Sequence, residues 1–327
     1  MLMHLIDQWH RQLNYLRVSV TDRCNLQCLY CRTEPVFQKL KHDDILRYEE
    51  ILRIIKVSLH LGITKVRITG GEPLVRRDIF PFLSKLSSMD GIQDLSFTSN
   101  GTLLARNIPQ IVNAGIRRIN VSLDTLNPDK YITITGVDKW HQVWDGLIAA
   151  HHANIYPIKL NVVAMNGIND DEWIDFARLT QRYPFFVRFI ELMPVGHSDL
   201  FSCRWVSSET IKNTLISHFG TLVPVKNQVH DGPAERFKLI DGQGEIGFIH
   251  AISHHFCQTC NRLRLTANGQ LRACLLSDLQ VDLKTLIRKG CSDSDIKDHL
   301  MSAIKLKPFS HSDSSKECHE QMIRIGG

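Results

Sequence analysis

The chain has 327 residues, 43% hydrophobic and 22% charged, with a formal net charge of +5 and nine cysteines. Such proportions belong to a globular protein with a sizeable core. They exclude a membrane span, since no apolar run is long enough, a secreted precursor, since no signal-peptide core precedes Leu16, and a basic nucleic-acid tail. The cytosol is the expected compartment, where an odd number of cysteines in tight groups points to metal rather than disulfides.

Taken in order, Leu16–Val20 predicts a strand, and Cys24-Asn25-Leu26-Gln27-Cys28-Leu29-Tyr30-Cys31 follows it. Three closely spaced thiolates suit zinc, copper(I) or an iron–sulfur cluster. They leave one corner of a tetrahedral site or cubane without a protein ligand unless a distant His or Cys closes a structural zinc site. Helical periodicity marks Tyr48–Leu61, Ile79–Met89, Leu103–Ala114, Trp140–Ala153 and Glu172–Arg182, while apolar runs mark strands at Lys65–Thr69, Asp94–Thr98, Arg118–Leu123, Ile158–Val163 and Phe186–Leu192. Six strands alternating with helices over about 180 residues predict right-handed βα units curled into an incomplete (β/α)6 parallel barrel.

Motifs fall where these strands end, the place at which parallel barrels put their chemistry. Thr69-Gly70-Gly71-Glu72-Pro73 closes the second strand; its glycines allow close approach to the backbone, and Glu72 reads as a solvated turn carboxylate. Thr98-Ser99-Asn100-Gly101 carries a turn signal. Asn120, Ser122 and Asp124 share one face of the fourth strand, as Lys159 and Asn161 do on the fifth. Inside a barrel these polar groups need partners, and Lys159 needs an anion such as phosphate. From about His197 the rhythm stops. Ser207–His218 predicts a helix leading away from the barrel, and Arg236–Ile240 and Glu245–Ile249 short strands. The predicted division is 1–230, a barrel with an N-terminal extension, and 231–327, a C-terminal region.

A second trio, Cys257, Cys260 and Cys274, has a hairpin signal, Ala267-Asn268-Gly269-Gln270, between its last two members. It reads either as a zinc ribbon completed by His254 or His255 or as a second open-cornered site. Arg262 and Arg264 point the same way, as a fork for phosphate or as a solvated basic edge. Cys203, Cys291 and Cys318 have no ligand-like spacing.

The first trio, set behind a strand and followed by the Gly-Gly-Glu-Pro turn, resembles the radical S-adenosylmethionine (SAM) superfamily. Cys257-Gln258-Thr259-Cys260-Asn261-Arg262-Leu263-Arg264-Leu265-Thr266, the later Cys274-Leu275 and the terminal Gly326-Gly327 narrow the resemblance to the GTP 3′,8-cyclase family, which begins molybdenum cofactor biosynthesis. That resemblance spans almost the whole chain. It implies two [4Fe-4S] clusters: one on Cys24, Cys28 and Cys31 with SAM at the fourth iron, the other on Cys257, Cys260 and Cys274 with GTP at the open iron. It implies SAM contacts at Tyr30, Gly71, Ser122 and Met193, and GTP contacts at Arg17, Arg67, Thr98, Lys159, Arg262, Leu263 and Arg264, with Arg17 and Arg67 positioning GTP.

The resemblance also implies a radical borne by the cofactor: reductive cleavage of SAM would yield a deoxyadenosyl radical that takes the ribose 3′ hydrogen, and the ribose carbon would then close on C8. The product is (8S)-3′,8-cyclo-7,8-dihydroguanosine 5′-triphosphate. Further implications are a Gly-Gly tail reaching the site, a flavodoxin- or ferredoxin-like reductant, a cyclic pyranopterin monophosphate synthase downstream, a homodimer, and no nucleic-acid or membrane partner. Arg32-Thr33, Ser99 and Pro194 depart from the family's usual residues. A radical SAM peptide modifier with an auxiliary cluster and a two-site zinc protein that binds nucleic acid are the alternatives.

Overall fold

Apolar and polar residues alternate along the strands, and that alternation sorts the two faces of one twelve-stranded sheet. The computed structural model describes residues 4–32, 38–196, 199–226, 231–311 and 318–326. Strands β1 (Tyr15–Ser19), β2 (Lys65–Thr69), β3 (Asp94–Ser99), β4 (Ile119–Ser122), β5 (Ile158–Ala164) and β6 (Phe185–Glu191) pair in chain order, each parallel to the next. Between them run α1 (Tyr48–His60), α2 (Ile79–Ser87), α3 (Leu104–Asn113), α4 (Pro128–Thr135), α5 (Trp140–His152) and α6 (Trp173–Arg182). All the strands and helices predicted in this half are present; the short α4 lies outside the prediction. It is bounded by an Asn127 cap, with Pro128 at its first position, and by Gly136 in the left-handed conformation.

After β6, α7 (Leu200–Arg204) and α8 (Ser208–Phe219) lead to β7 (Val223–Pro224), β8 (Glu235–Lys238) and β9 (Glu245–Ile249). The predicted helix does not lead away from the barrel: α8 packs back on α6, β6 and β9 through buried Ile211 and Leu215. β9 then pairs parallel to β6, while β10 (Arg262–Leu265) pairs parallel to β1. The C-terminal region therefore lengthens the parallel run at both edges, giving β10-β1-β2-β3-β4-β5-β6-β9. Antiparallel β11 (Gln270–Arg272) and β12 (Gln280–Asp282) cover one edge; β8 and β7 cover the other. The remaining helices are α9 (Leu283–Arg288), α10 (Asp293–Lys305) and α11 (Met322–Ile325). α10 lies outside the predicted elements; its capping box at Ser292 and Asp295 and its stripe of Ile296, Leu300, Ala303 and Ile304 dock it on α1.

The sheet curls. In a flat sheet β6 and β10 would stand six strand spacings apart, about 29 Å. Yet the Arg188 guanidinium on β6 is repelled by Arg67 on β2 and Arg262 on β10, an interaction between groups facing one another across a lumen. Outside that lumen, Leu16, Val18, Val66, Ile68, Phe97, Val121, Leu160, Phe189, Phe248, Leu263 and Leu265 are buried beneath the helices.

Phe189 stacks on Phe248 at 6.0 Å and meets Phe176 edge-on at 6.3 Å. Phe189→Ala is expected to cost about 3–5 kcal/mol, read as a lower denaturant midpoint of the anaerobic protein; an unchanged midpoint would contradict this packing.

Candidate active site

The first thiol loop is tied down on both flanks. Gln27 and Leu29 donate backbone N–H groups to Thr135 and Ile134 at the end of α4, 2.8 and 3.0 Å away, and Cys31 N–H closes a turn on Cys28 O. The Cys24 sulfur accepts from Leu26 N at 3.4 Å and from Asn100 Nδ2 at 3.5 Å, so Asn100 does more than form a turn. Tyr30 Oη donates to Asp124 Oδ2 at 2.7 Å, and the other oxygen of Asp124 takes Val163 N–H at 2.8 Å.

Glu72 corrects an expectation. It is fully buried rather than solvated, accepting from Ser99 Oγ, Asn100 N and Leu74 N. Burial outweighs those donors and pushes its carboxyl up to about 7. Gly71 N–H donates to Thr21 O at 2.6 Å, and a Cβ at Gly71 would stand 2.3 Å from Arg23 O. The glycine is thus demanded by the chain's own cysteine loop.

Burial, then the charges of its neighbours, pushes the thiols of this loop up; Cys31 reaches about 12. None of the nine cysteines is in a disulfide. Three crowded thiols whose burial outweighs the nearby Arg32 suit a cationic group that would take them as ligands and deprotonate them. The chemistry of the donor set therefore fits an iron–sulfur cluster.

The lumen holds the cations. Arg264, Arg17 and Arg67 stand abreast on β10, β1 and β2. Arg188 Nη2 donates to Asn120 Oδ1 and Asn161 Oδ1, both at 2.6 Å, so β4, β5 and β6 present one polar face inward. Burial and then Arg188, Arg118 and Arg67 bring Lys159 down to about 6. Burial and then Arg67 bring Arg188 to about 9, and burial with Arg262 brings Arg264 to about 10. Burial also holds Arg17 well below its ordinary value, Arg264 adding to the effect. Arg264 is 5% exposed and β10 lies inside the sheet, so the solvated-edge reading of this fork is wrong. The hydroxyl of Thr98 is buried with no hydrogen-bond partner among the described residues. A small cleft opens beside Lys159, Phe186, Arg188, Arg236 and Glu245. Ser122 ends β4 opposite Asn161, and Met193 packs against Val195, Cys318 and Ile325.

The second trio stands at the opposite, N-terminal ends of the strands. Cys257 and Cys260 precede β10, Cys274 follows the antiparallel β11, and Asn261 O accepts Tyr15 N–H at the start of β1. Chemistry is therefore not confined to the C-terminal strand ends; about 13 Å of β1 separates the two levels. Leu263, between the arginines, points into the core. At the other end, Gly326 O accepts from Arg264 Nη1 at 2.8 Å, and a Cβ there would meet Ser19 and Thr69 at 2.9 and 3.0 Å. Gly327 lies outside the described residues. Cys318, isolated in sequence, is buried and donates to Leu275 O, seating the tail. Tyr15, Lys65 and Arg188 also line the lumen and are not among the predicted site residues. Arg188 stands in a stretch singled out for Met193, and its inward register with Asn161 is the signal that marks it.

A curled parallel sheet with a three-cysteine loop at its mouth defines a radical SAM protein, and the comparisons agree. Residues 18–180 match the Radical SAM superfamily and residues 185–313 match Molybdenum Cofactor Synthesis C. Streptococcus suis SuiB bound to S-adenosylmethionine superposes with a TM-score of 0.63 at 13% identity, covering 93% of this chain and 69% of that one, a likeness of fold. The GTP 3′,8-cyclase of Heliobacterium modesticaldum is 47% identical over 308 residues, 94% of each chain. That of Desulforamulus reducens is 45% identical over 99% of this chain and 100% of its own. The chain belongs to the GTP 3′,8-cyclase family. As a radical SAM enzyme it uses SAM and an iron–sulfur cluster.

Lys159 supplies a sign. Its value of about 6 lies below the ordinary 10.5, so at pH 8 it is neutral, and a bound polyphosphate would favour the charged form. Inorganic triphosphate should then bind with uptake of about one proton at pH 8, and more weakly as pH rises above about 6. Calorimetry in two buffers of different ionisation enthalpy measures this. Equal heats, or the same uptake in Lys159→Met, would refute it.

Proposed function

We infer that this chain converts GTP to (8S)-3′,8-cyclo-7,8-dihydroguanosine 5′-triphosphate, the first step of molybdenum cofactor biosynthesis. The observation that carries this reading is a lumen lined by buried cations between two thiol trios, one at each end of the strands. A polyanion fits the middle, and an open metal corner fits each end. Cys24, Cys28 and Cys31 would hold a [4Fe-4S] cluster that binds SAM, and Cys257, Cys260 and Cys274 would hold a second that binds the guanine. The SAM-bearing cluster, once reduced, supplies the carbon radical that starts the reaction.

The chain's own residues orient and enclose. Asp124 holds the Tyr30 ring against SAM. Gly71, its N–H committed to Thr21, offers its carbonyl to the SAM ammonium; Ser122 and Met193 complete that side. Arg17, Arg67, Lys159, Arg262 and Arg264 hold the triphosphate, with Arg188, Lys65 and the Thr98 hydroxyl beside them, and Leu263 sets the spacing of the Arg262–Arg264 fork. Triphosphate binding relieves the mutual repulsion of these cations, so the charges that cost stability in the empty lumen favour the loaded one. Residues 1–230 furnish most of the SAM end and 231–327 the guanine end and the tail that reaches back to the SAM end. Gly326, seated on Arg264, helps to close the mouth against water.

A flavodoxin- or ferredoxin-like protein delivers the electron, a cyclic pyranopterin monophosphate synthase takes the product, and the chain works as a homodimer in the cytoplasm. Among the described residues no helix is long and apolar enough to cross a membrane. A zinc reading of the second trio draws on His255 and His311, whose ring nitrogens lie with the Cys257 sulfur within 4.8 Å of one another. Iron and sulfide analysis separates the two, with about eight irons per chain expected for two cubanes.

Cys24→Ala should abolish SAM cleavage. Cys257→Ala should keep uncoupled SAM cleavage, lose about half the iron and form no cyclised product. Cyclisation by a Cys257→Ala protein without its second cluster would end the proposal. Deleting Gly326 and Gly327 removes the acceptor of Arg264; turnover should fall while iron content stays normal, and full activity would leave the tail without this role.

A further inference from the structure

Lys307 is a buried cation that the reaction as described does not use. It follows α10 and is 2% exposed. Its ammonium donates to Ala273 O at 2.7 Å, to Arg262 O at 2.9 Å and to the Cys260 sulfur at 3.5 Å. Those three contacts use all three of its donors. Ala273 adjoins Cys274, and Arg262 lies two residues past Cys260, so one side chain ties together both strands of the hairpin that carries the trio. A buried ammonium needs an anion. The Cys260 sulfur is the ligand atom this ammonium reaches.

The segment is fixed from the far end of the chain. Trp9 Nε1 donates to Lys307 O at 3.1 Å, and the Trp9 ring packs on Phe309 at 5.2 Å. Arg11, paired with Asp7 at 2.6 Å, donates to Pro308 O, Phe309 O and Cys257 O. His311 Nδ1 lies 3.6 Å from the Cys257 sulfur. Two of the three sulfurs thus meet polar side chains from one short stretch whose backbone cannot drift.

We propose that Lys307 is a positioning residue for the second cluster: its ammonium hydrogen-bonds the Cys260 ligand and raises that cluster's reduction potential. This rests on the two-cluster reading above. Reduction adds one negative charge to the cluster. A fixed cation and an N–H···S bond stabilise the reduced form more than the oxidised one, and hydrogen bonds to cluster sulfurs are an established determinant of potential. A neutral side chain that only filled this space would have no such effect.

The test uses full-length protein with Cys24, Cys28 and Cys31 all replaced by Ala, loaded anaerobically, so that the second cluster is observed alone. Redox titration followed by electron paramagnetic resonance should give a lower midpoint potential for Lys307→Met than for the Lys307 parent. Lys307→Arg should fall between them. In the parent grown on ¹⁵N-lysine, pulsed resonance of the reduced cluster should detect a lysine nitrogen, and Lys307→Arg should lose that coupling. Equal potentials at equal iron content, or no ¹⁵N coupling in the parent, would overturn the role. If Lys307→Met holds no cluster, the labelled parent still decides. A parent that takes up zinc and no iron would overturn the two-cluster reading, and this inference with it.

Discussion

The pairing of β10 on β1 governs the site. It joins strands from opposite ends of the chain and sets Arg264, Arg17 and Arg67 side by side across three strands about 4.8 Å apart. Because the pairing is parallel, residues before β10 lie at one end of the lumen while those after β1 lie at the other. That pairing places the two thiol trios at opposite ends of the sheet. A shift of one residue would turn the arginines into the core and Leu263 into the lumen. The register is guarded by Asn14 and Asn261, hydrogen-bonded at 2.7 Å, and by the grip of Arg11 on Cys257 O.

The cost of this arrangement is electrostatic. Two like charges about 5 Å apart repel by about 3 kcal/mol at an effective dielectric near 20, and Arg17, Arg67, Arg188 and Arg264 each feel another arginine of the lumen. Among the described residues Asp94 offsets part of it, bridging Lys65 and Arg118 at 2.8 Å each. The rest is carried by the outer face, where Phe189, Phe248 and their neighbours are fully buried. Stability is thus drawn from one face of the sheet and spent on the other, as expected where a binding site is built for a partner carrying the opposite charge.

Family membership gives these features a common purpose. A radical intermediate needs its substrate held rigidly and water kept out. Buried ammonium and guanidinium groups do both when they meet phosphate, since each then exchanges a repulsive neighbour for a bound anion. Gly326 enters between Ser19 and Thr69, where no side chain has room.

Much of this was legible in the chain itself. Periodicity alone located the six strands and five of the six helices between them, because burying one face leaves a repeat in the sequence. The thiol spacings and the Gly-Gly-Glu-Pro turn marked the chemistry, because ligands from one loop must be close in sequence. What sequence could not decide was everything that depends on which groups end up opposite one another. Glu72 looked like a turn carboxylate until Ser99 and Asn100 closed over it, and the helix at Ser208 looked like an exit until it folded back on β6. Arg188, Lys307 and the level of the second trio belong to the same class. Local pattern records what a residue's neighbours along the chain require; the charge it faces across a curled sheet is set only when the strands choose their partners.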